Sequence, residues 1–265
     1  MAFPVWVSNL VAYGLQIAVV AAAGTLLAHL FRLRHPRVTL AYWQFLLLAC
    51  LALPALQPWE RPVLGPAISV ALPADARIPG GAIPATAAPQ LPWEILGAAL
   101  AAGILLRLAW ILLGLFRLHR FERKARAYTE SRAPVRDAQH RTGVRVPLLL
   151  SGEVDGPVTF GFSSPKIILP LSFLALSEPM QEAVLCHELL HVRRRDWVLI
   201  VAEGVVGAVF WFHPAVWWLL NRIRLSREQA VDREVVRLTG NRRPYLDALL
   251  EFARTQGRPG TVPAP

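Results

Sequence analysis

Three long apolar segments constrain this chain more than any other feature of its sequence. Residues 5–28, 38–56 and 95–116 together contain a single charged residue, Arg107. A helix needs roughly 20 apolar residues to cross the hydrocarbon core of a bilayer, and a soluble domain does not need runs this long. A mean hydropathy of +0.40 agrees with this interpretation. The sequence therefore predicts three membrane spans.

Basic residues at the ends of these segments predict the orientation of the chain. Arginines follow the first segment within residues 32–37, and a basic cluster at residues 117–126 follows the third. Positive residues stay on the cytoplasmic side, so we expect the N-terminus outside and the chain after the third span in the cytoplasm. The Pro- and Ala-rich residues 57–92 are then an external loop. Binding of anionic lipid is a second use for the cluster at residues 117–126.

His187 and His191 lie four residues apart within residues 177–194, which we expect to form one helix that begins at Ser177. Residues four apart share a helical face, so both imidazoles can bind one ion. Glu188 then lies beside an open coordination position, where a carboxylate can take a proton from metal-bound water. This H-E-x-x-H spacing predicts a zinc site with its own base. The alternative is that these residues share a turn of a core helix by chance.

Short β-rich segments separated by glycine and proline precede this helix. Strands are expected at residues 146–150, 158–160 and 166–169. The edge of a sheet beside a zinc site can hold an extended peptide by main-chain pairing. We assign that pairing to Lys166, Ile167 and Ile168, and a sheet that only packs against the helix is the alternative.

The apolar residues 197–220 follow the metal helix and are long enough to be a fourth span. However, His213-Pro214 interrupts them near the middle, Glu203 lies within them, and basic residues stand at both ends. We therefore predict a helical hairpin, buried in the protein or dipping into the bilayer, with His213 capping its second arm. Arg107 is a hypothetical partner for Glu203, and the alternative is that Arg107 extends toward the headgroups.

A third metal ligand would distinguish the hairpin from a crossing. Residues 226–229 match a capping box, which predicts a helix start, and Glu228 and Asp232 then share one helical face. If Glu228 completes the site of the two histidines, it must lie on their side of the membrane, which a crossing forbids. Asp232 is suited to accept the free N–H of a ligand histidine. Glu203 is the rival ligand, and an exposed carboxylate at a helix start is the alternative for Glu228.

Several segments occur in a characteristic order along the chain. They are residues 157–162, residues 165–170, residues 187–191 with Arg194 and Asp196, residues 211–218, and residues 227–232. Together they resemble the BlaR/MecR-type family of bacterial membrane zinc metallopeptidases, from the first span to about Phe252. The resemblance implies a gluzincin-like protease domain on the cytoplasmic side of the bacterial inner membrane. It also implies one Zn²⁺ bound by His187, His191 and Glu228, with Glu188 as catalytic base and acid.

The best-known members of that family sense β-lactams through an external C-terminal domain and trigger cleavage of a cytoplasmic repressor. This sequence ends at Pro265 without a sensor domain, so we expect no antibiotic sensing unless the chain is part of a longer protein. The resemblance implies an endopeptidase that cleaves a cytoplasmic or membrane-proximal protein in regulatory signalling, with a transcriptional repressor as a candidate substrate. His213, Tyr245 or an arginine is the candidate donor to the oxyanion.

The expected architecture is a mainly α membrane protein. Residues 1–116 form the membrane domain, residues 117–256 a cytoplasmic α+β protease domain, and residues 257–265 a flexible tail. A rival function is a non-catalytic signalling scaffold, which a closed site of four protein ligands would favour. The net charge of +10 does not predict a nucleic-acid partner, because most of the clustered arginines flank the spans. The two cysteines, Cys50 and Cys186, do not suggest a disulfide.

Overall fold

The computed structural model describes residues 4–56, 93–128 and 132–256. Its elements are α1 (Val5–Leu30), α2 (Pro36–Leu56), α3 (Trp93–Lys124), β1 (Arg126–Ala127), α4 (Ala133–Thr142), β2 (Leu148–Ser151), β3 (Val158–Phe160), β4 (Lys166–Pro170), a 3₁₀ turn (Leu171–Ala175), α5 (Glu178–Arg194), α6 (Asp196–Val209), α7 (Pro214–Thr239) and α8 (Arg242–Gln256). The chain is mainly helical with one small sheet, as predicted. The predicted external loop and tail lie outside the described residues.

Three helices, α1, α2 and α3, are long and apolar enough to cross a membrane, and they coincide with the three predicted spans. The third helix continues past the predicted end at Phe116 to Lys124, because its basic residues are good helix formers and no proline or glycine interrupts them. None of the residues of α3 is buried. Its last turns reach the sheet, where Glu122 pairs with Lys166, and Lys124 Nζ lies 2.6 Å from Glu153 Oε1.

Two apolar cores are joined by α7. The first lies between α1, α2 and the beginning of α7, and Ile17, Trp43 and Leu219 are among its buried residues. The second lies between the sheet, α4, α5, α8 and the end of α7, and includes Leu189 and Val235. We call the helices around the first core, α1, α2 and the beginning of α7, the span bundle. One end of α7 therefore belongs to the span bundle, and the other end belongs to the second core.

The apolar segment after α5 is a helical hairpin, as predicted. Its first arm, α6, has 14 residues and is about 21 Å long, too short to cross a core of about 30 Å. The second arm returns to the start of the first, because Arg227 on α7 pairs with Glu203 on α6 and its Nε lies 3.8 Å from Asp196 Oδ1. The predicted cap is confirmed, since His213 Nδ1 accepts the backbone N–H of Val216 at 3.4 Å.

The hairpin tip packs against two of the candidate spans. His213 Nε2 lies 3.0 Å from the Gly14 carbonyl oxygen on α1, and Trp211 Nε1 donates to the Leu100 carbonyl oxygen on α3 at 3.3 Å. A side chain at Gly103 would overlap the Trp211 indole, so this close seating of the tip requires glycine.

Two predictions for this region are wrong, one about an ion pair and one about the start of a helix. Arg107 lies 4.7 Å from the ring centre of Trp217, whereas Glu203 pairs with Arg227, so the hypothetical Arg107–Glu203 pair does not form. The helix start predicted at Ser226 is also wrong. α7 runs without a break from Pro214 to its left-handed cap at Gly240, because no proline or glycine lies between them.

The sheet has the strand order β1-β2-β4-β3. β4 is central, since it pairs in parallel with β2 and antiparallel with β3. Both of its sides are therefore occupied, and the prediction that Lys166, Ile167 and Ile168 pair with a substrate strand is wrong. Among the described strands, the edge that faces the metal helix belongs to β3, which contacts α5.

We expect Gly103→Ala to destabilise the protein by about 1–3 kcal/mol, because the new methyl group displaces the Trp211 indole from α3. Gly97→Ala on the same helix is the matched control: its Cβ would lie 3.9 Å from Trp6, an ordinary contact, and the substitution should be neutral or slightly stabilising. Thermal unfolding in detergent micelles measures both. Equal midpoints for the two variants would contradict the packing of the hairpin tip.

Candidate metal centre

The helix α5 presents the two predicted histidines to one partly buried site. Pro179 lies in its first turn, and Leu185 and Leu189 anchor it in the second core with 1% of their surface exposed. The helix ends at Arg195, whose φ of 56° is left-handed. This ending redirects the chain, so that Asp196 turns back toward the last turn of α5.

The imidazoles of His187 and His191 and the carboxylate of Glu228 converge on one point. His187 Nε2 lies 3.0 Å from His191 Nε2, and Glu228 Oε2 lies 3.7 Å from each of these nitrogens. A point equally distant from the three atoms is about 2 Å from each, which matches the bond lengths of zinc sites. The structure thus brings the three predicted ligands together in a geometry that fits a divalent metal ion.

Hydrogen bonds to Nδ1, the imidazole nitrogen that does not face the convergence point, select the tautomer of each histidine. Asp196 Oδ2 lies 2.8 Å from His191 Nδ1, and a carboxylate only accepts, so this nitrogen carries the proton. The Tyr245 hydroxyl donates to Asp232, so its oxygen accepts from His187 Nδ1 at 2.8 Å. Both Nε2 atoms are then unprotonated and face each other. Two facing lone pairs repel unless a cation lies between them, which favours a metal site.

Burial and nearby carboxylates have opposite effects on the pKa of His187. Burial lowers the pKa of His187, but Asp232, Glu188 and Glu228 outweigh it and raise that pKa above its usual value. Burial raises the pKa of Asp232, yet hydrogen bonds to His187 and Tyr245 leave it below its usual range. Burial and the Asp232 carboxylate raise the pKa of Tyr245. At neutral pH the aspartate is therefore an ionised acceptor and the tyrosine a neutral donor.

Asp232 lies near a ligand histidine, as predicted, but it shares the contact with His187 Nδ1 with the Tyr245 hydroxyl. Its Oδ1 is 3.4 Å from His187 Nδ1, farther than the Tyr245 oxygen. The prediction named the aspartate as the direct acceptor of the histidine N–H. In the structure the tyrosine is the closer partner, and the aspartate holds the tyrosine in place.

The predicted base is tied to the edge strand of the sheet. Thr159 on β3 donates its hydroxyl to Glu188 Oε2 at 2.6 Å. This contact links the strand nearest to α5 with the residue next to the first ligand. It limits the directions in which the carboxylate can point, and within the described part of the chain it leaves Glu188 Oε1 without a hydrogen-bond partner.

A buried charge cluster lies behind the site. Arg227, with 1% of its surface exposed, pairs with Glu203 and lies close to Asp196, which is equally buried. Arg194 Nε lies 3.4 Å from the same aspartate. The aspartate that orients His191 thus lies within ion-pair distance of two arginines, although its Oδ1 makes no hydrogen bond to either.

Two candidate oxyanion donors are placed elsewhere. His213 caps the start of α7, about 22 Å along that helix from Glu228, and so cannot reach the site. The Tyr245 hydroxyl lies at Nδ1 of His187, on the side of the ring away from the converging Nε2 atoms. Both predictions are wrong for this arrangement. The nearby arginines, Arg194 and Arg227, are engaged with carboxylates.

The sequence did not assign roles to three residues that contact the site: Thr159, Asp196 and Arg227. A carboxylate just after the end of the metal helix was a usable signal for Asp196, because the helix end brings it back to His191. Thr159 comes from a strand distant in sequence, and Arg227 was considered only within a capping box and within one of the family segments. Neither had a local pattern that indicated its contact.

Comparison with known proteins places the chain among membrane peptidases. The sequence model of the family described as BlaR1 peptidase M56 matches residues 15–264. The regulatory protein BlaR1 of Bacillus licheniformis is 30% identical over 120 residues, 44% of this chain and 20% of that protein. The methicillin resistance protein mecR1 of Staphylococcus aureus is 27% identical over 94 residues, 35% of this chain and 16% of its relative.

A protease HtpX homolog of Thermoplasma acidophilum is 26% identical over 102 residues, 37% of this chain and 32% of that protein. The matched parts thus span a third or less of each of these relatives. The likeness therefore concerns a part of each relative rather than the whole protein.

We expect His187→Ala to abolish stoichiometric binding of Zn²⁺, because two remaining ligands cannot close the site. Asp196→Ala should weaken binding about 10–100-fold, since His191 loses the acceptor that orients its ring. His140→Ala, at an exposed histidine on α4, is the control. Competition with a chromophoric chelator measures all three affinities. Unchanged zinc binding by His187→Ala would rule out this centre.

Proposed function

We infer that this chain, which belongs to the BlaR1 peptidase M56 family, is a membrane-embedded zinc-dependent endopeptidase. Its substrate would be a cytoplasmic or membrane-proximal protein. The observation that carries the proposal is the convergence of His187, His191 and Glu228 beside Glu188 on α5. Relatives that are a regulatory protein and a resistance protein support a role in signalling, with a transcriptional repressor as a candidate substrate.

The proposed chemistry is hydrolysis of a peptide bond. A bound Zn²⁺ would polarise the scissile carbonyl and lower the pKa of a water molecule. Glu188 is next to the first ligand on the same helix, and its carboxylate accepts the proton of the attacking water and passes it to the leaving amine. Thr159 holds that carboxylate by one oxygen, which leaves the other free to take the proton.

The residues around the ligands keep the two histidines ready for this role. Asp196 and Tyr245 keep the protons on the Nδ1 atoms, so that both Nε2 lone pairs point into the site. Arg227 neutralises the buried Asp196, which would otherwise be costly to keep ionised. The site is therefore preorganised by contacts from α5, α6, α7 and α8.

An extended substrate would lie along β3 rather than β4. The outer edge of β3 is free of a described strand, and the strand is next to the metal helix. Main-chain pairing with Val158 and Phe160 would bring a peptide bond close to Glu188. Phe162, with 79% of its surface exposed, follows this edge and offers an apolar contact to a substrate side chain.

The proposed topology follows the basic residues. The N-terminus lies outside, residues 1–116 form the membrane domain, and residues 117–256 carry the protease on the cytoplasmic face of the bacterial inner membrane. In this arrangement the hairpin enters the span bundle and returns, which keeps Glu228 on the side of the histidines.

A non-catalytic scaffold is the competing function. A structural zinc site is closed by four protein ligands, whereas a catalytic site keeps one position open. Within the described residues three ligand atoms converge, and Glu188 directly follows His187 on α5. This ligand count favours the enzyme.

Glu188→Gln should reduce peptide cleavage about 10²–10⁴-fold without loss of zinc, because the amide cannot take a proton. Glu178→Gln is the matched control, since it changes an exposed carboxylate at the start of the same helix. Comparing the proteomes of cells that carry each variant reveals the cleaved protein, and the zinc content is measured on the purified chains. A Glu188→Gln variant that still cuts the substrate would refute the mechanism.

Thr159→Val should lower kcat while zinc content stays unchanged, because the Glu188 carboxylate loses its hydroxyl donor. Thr159→Ser keeps the hydroxyl and is expected to retain most of the activity. The two variants are compared with the substrate found in the proteome experiment. If valine and serine at this position gave the same kcat, the hydroxyl would have no role in positioning the base.

A further inference from the structure

A groove between α1, α2 and α7 is separate from the metal centre. It has a volume of about 790 Å³. Its lining includes Leu26, Arg34, Trp43, Trp218, Arg222 and Leu225. We call it the α1–α2–α7 groove. The proposed peptidase reaction does not use any of these residues.

The groove is basic and its charge is uncompensated. Arg34, Arg222 and His29 line it, and no Asp or Glu is among the described residues that do. A hollow that adjoins it adds Arg32. Neither Arg34 nor Arg222 forms an ion pair within the described part of the chain. Nearby Arg37, in contrast, is paired with Glu234 at 2.8 Å. Unpaired arginines around one cavity favour an anionic ligand.

Two tryptophans hold one of these arginines in place. The Arg222 guanidinium lies 5.1 Å from the ring centre of Trp218 and 5.8 Å from that of Trp43. These two rings also contact each other edge to face, with their centres 5.2 Å apart. The guanidinium is therefore positioned by cation–π contacts, and its N–H groups remain available to a ligand.

The groove lies where two candidate spans end. α1 ends at Leu30 and α2 begins at Pro36, so the lining arginines stand at the level of the lipid headgroups if these helices cross the bilayer. Tryptophans are enriched at this level. Leu26 and Leu225 also line the groove and are exposed. The groove thus combines arginines, which can bind the phosphate of a phospholipid headgroup, with leucines, which can contact its acyl chains.

We propose that the α1–α2–α7 groove binds an anionic phospholipid, with its phosphate between Arg34 and Arg222 and its acyl chains along Leu26 and Leu225. A soluble phosphate would use the arginines alone and gain nothing from the apolar wall. The α1–α2–α7 groove also includes Gln229, the neighbour of Glu228 on α7. Binding is independent of peptidase activity and can be measured without a substrate.

The test uses the full chain purified in detergent micelles that contain equal amounts of phosphatidylglycerol and phosphatidylcholine. Native mass spectrometry counts the lipids that stay bound. The wild type should retain phosphatidylglycerol in preference, and Arg34→Gln/Arg222→Gln should lower its apparent affinity about 30-fold, the loss expected from two surface arginines. Arg136→Gln/Arg224→Gln is the matched control, because it removes two exposed arginines that lie outside both the groove and the basic cluster at residues 117–126.

Several outcomes would overturn the proposal. A wild type without preference for phosphatidylglycerol, or a control that loses as much affinity as the groove variant, would do so. Displacement of the lipid by inorganic phosphate at millimolar concentration would identify a soluble anion as the ligand instead. If the double variant does not fold, the single variants Arg34→Gln and Arg222→Gln decide: each should lower the apparent affinity about 5-fold, and an unchanged affinity in both would refute the groove as the site.

Discussion

A single buried arginine holds together the parts of this molecule that matter for the metal centre. Arg227 lies among Glu203 and Asp196, in a junction where the hairpin meets the metal helix. A buried charge is stable only when opposite charges compensate it, so the three groups have to stay together. Through Asp196 the arginine supports the orientation of His191, and through its position on α7 it keeps the next residue, Glu228, beside both histidines.

The continuous helix α7 extends this constraint from the junction to the whole chain. Its first turns pack against α1 and α2, and its last turns pack against α5 and α8. A helix without a break keeps fixed rotational relations between its residues. The face that buries Leu219 in the span bundle therefore determines the direction in which Glu228 and Asp232 point. The metal centre and the span bundle are thus connected by one unbroken helix.

Local patterns were enough to predict much of this structure. The spans follow from apolar length, and the pair His187 and His191 follows from helical spacing. The hairpin follows from His213-Pro214. Each of these depends on residues close in sequence, whereas Glu228 was preferred to Glu203 as the third ligand only through the family resemblance.

The wrong predictions concern contacts between distant segments. Strand order is not visible in strand propensity, so the central position of β4 could not be known and Lys166 was assigned to an edge. The partner of Glu203 was taken to be Arg107, because only the folded hairpin brings Arg227 next to it. Tyr245 has several chemical uses, and the packing of α8 against α5 decides among them.

The long helix α3 has a mechanical consequence that follows from its attachments. It holds the hairpin tip through Leu100 and Gly103 near one end, and it holds the sheet through Glu122 and Lys124 at the other. A helix behaves as a stiff rod along its axis, so a piston-like shift of α3 would pull on the hairpin and on β4 at the same moment. The strand that touches Glu188 is paired with β4, and Glu188 is therefore within reach of a movement that starts at the other end of α3.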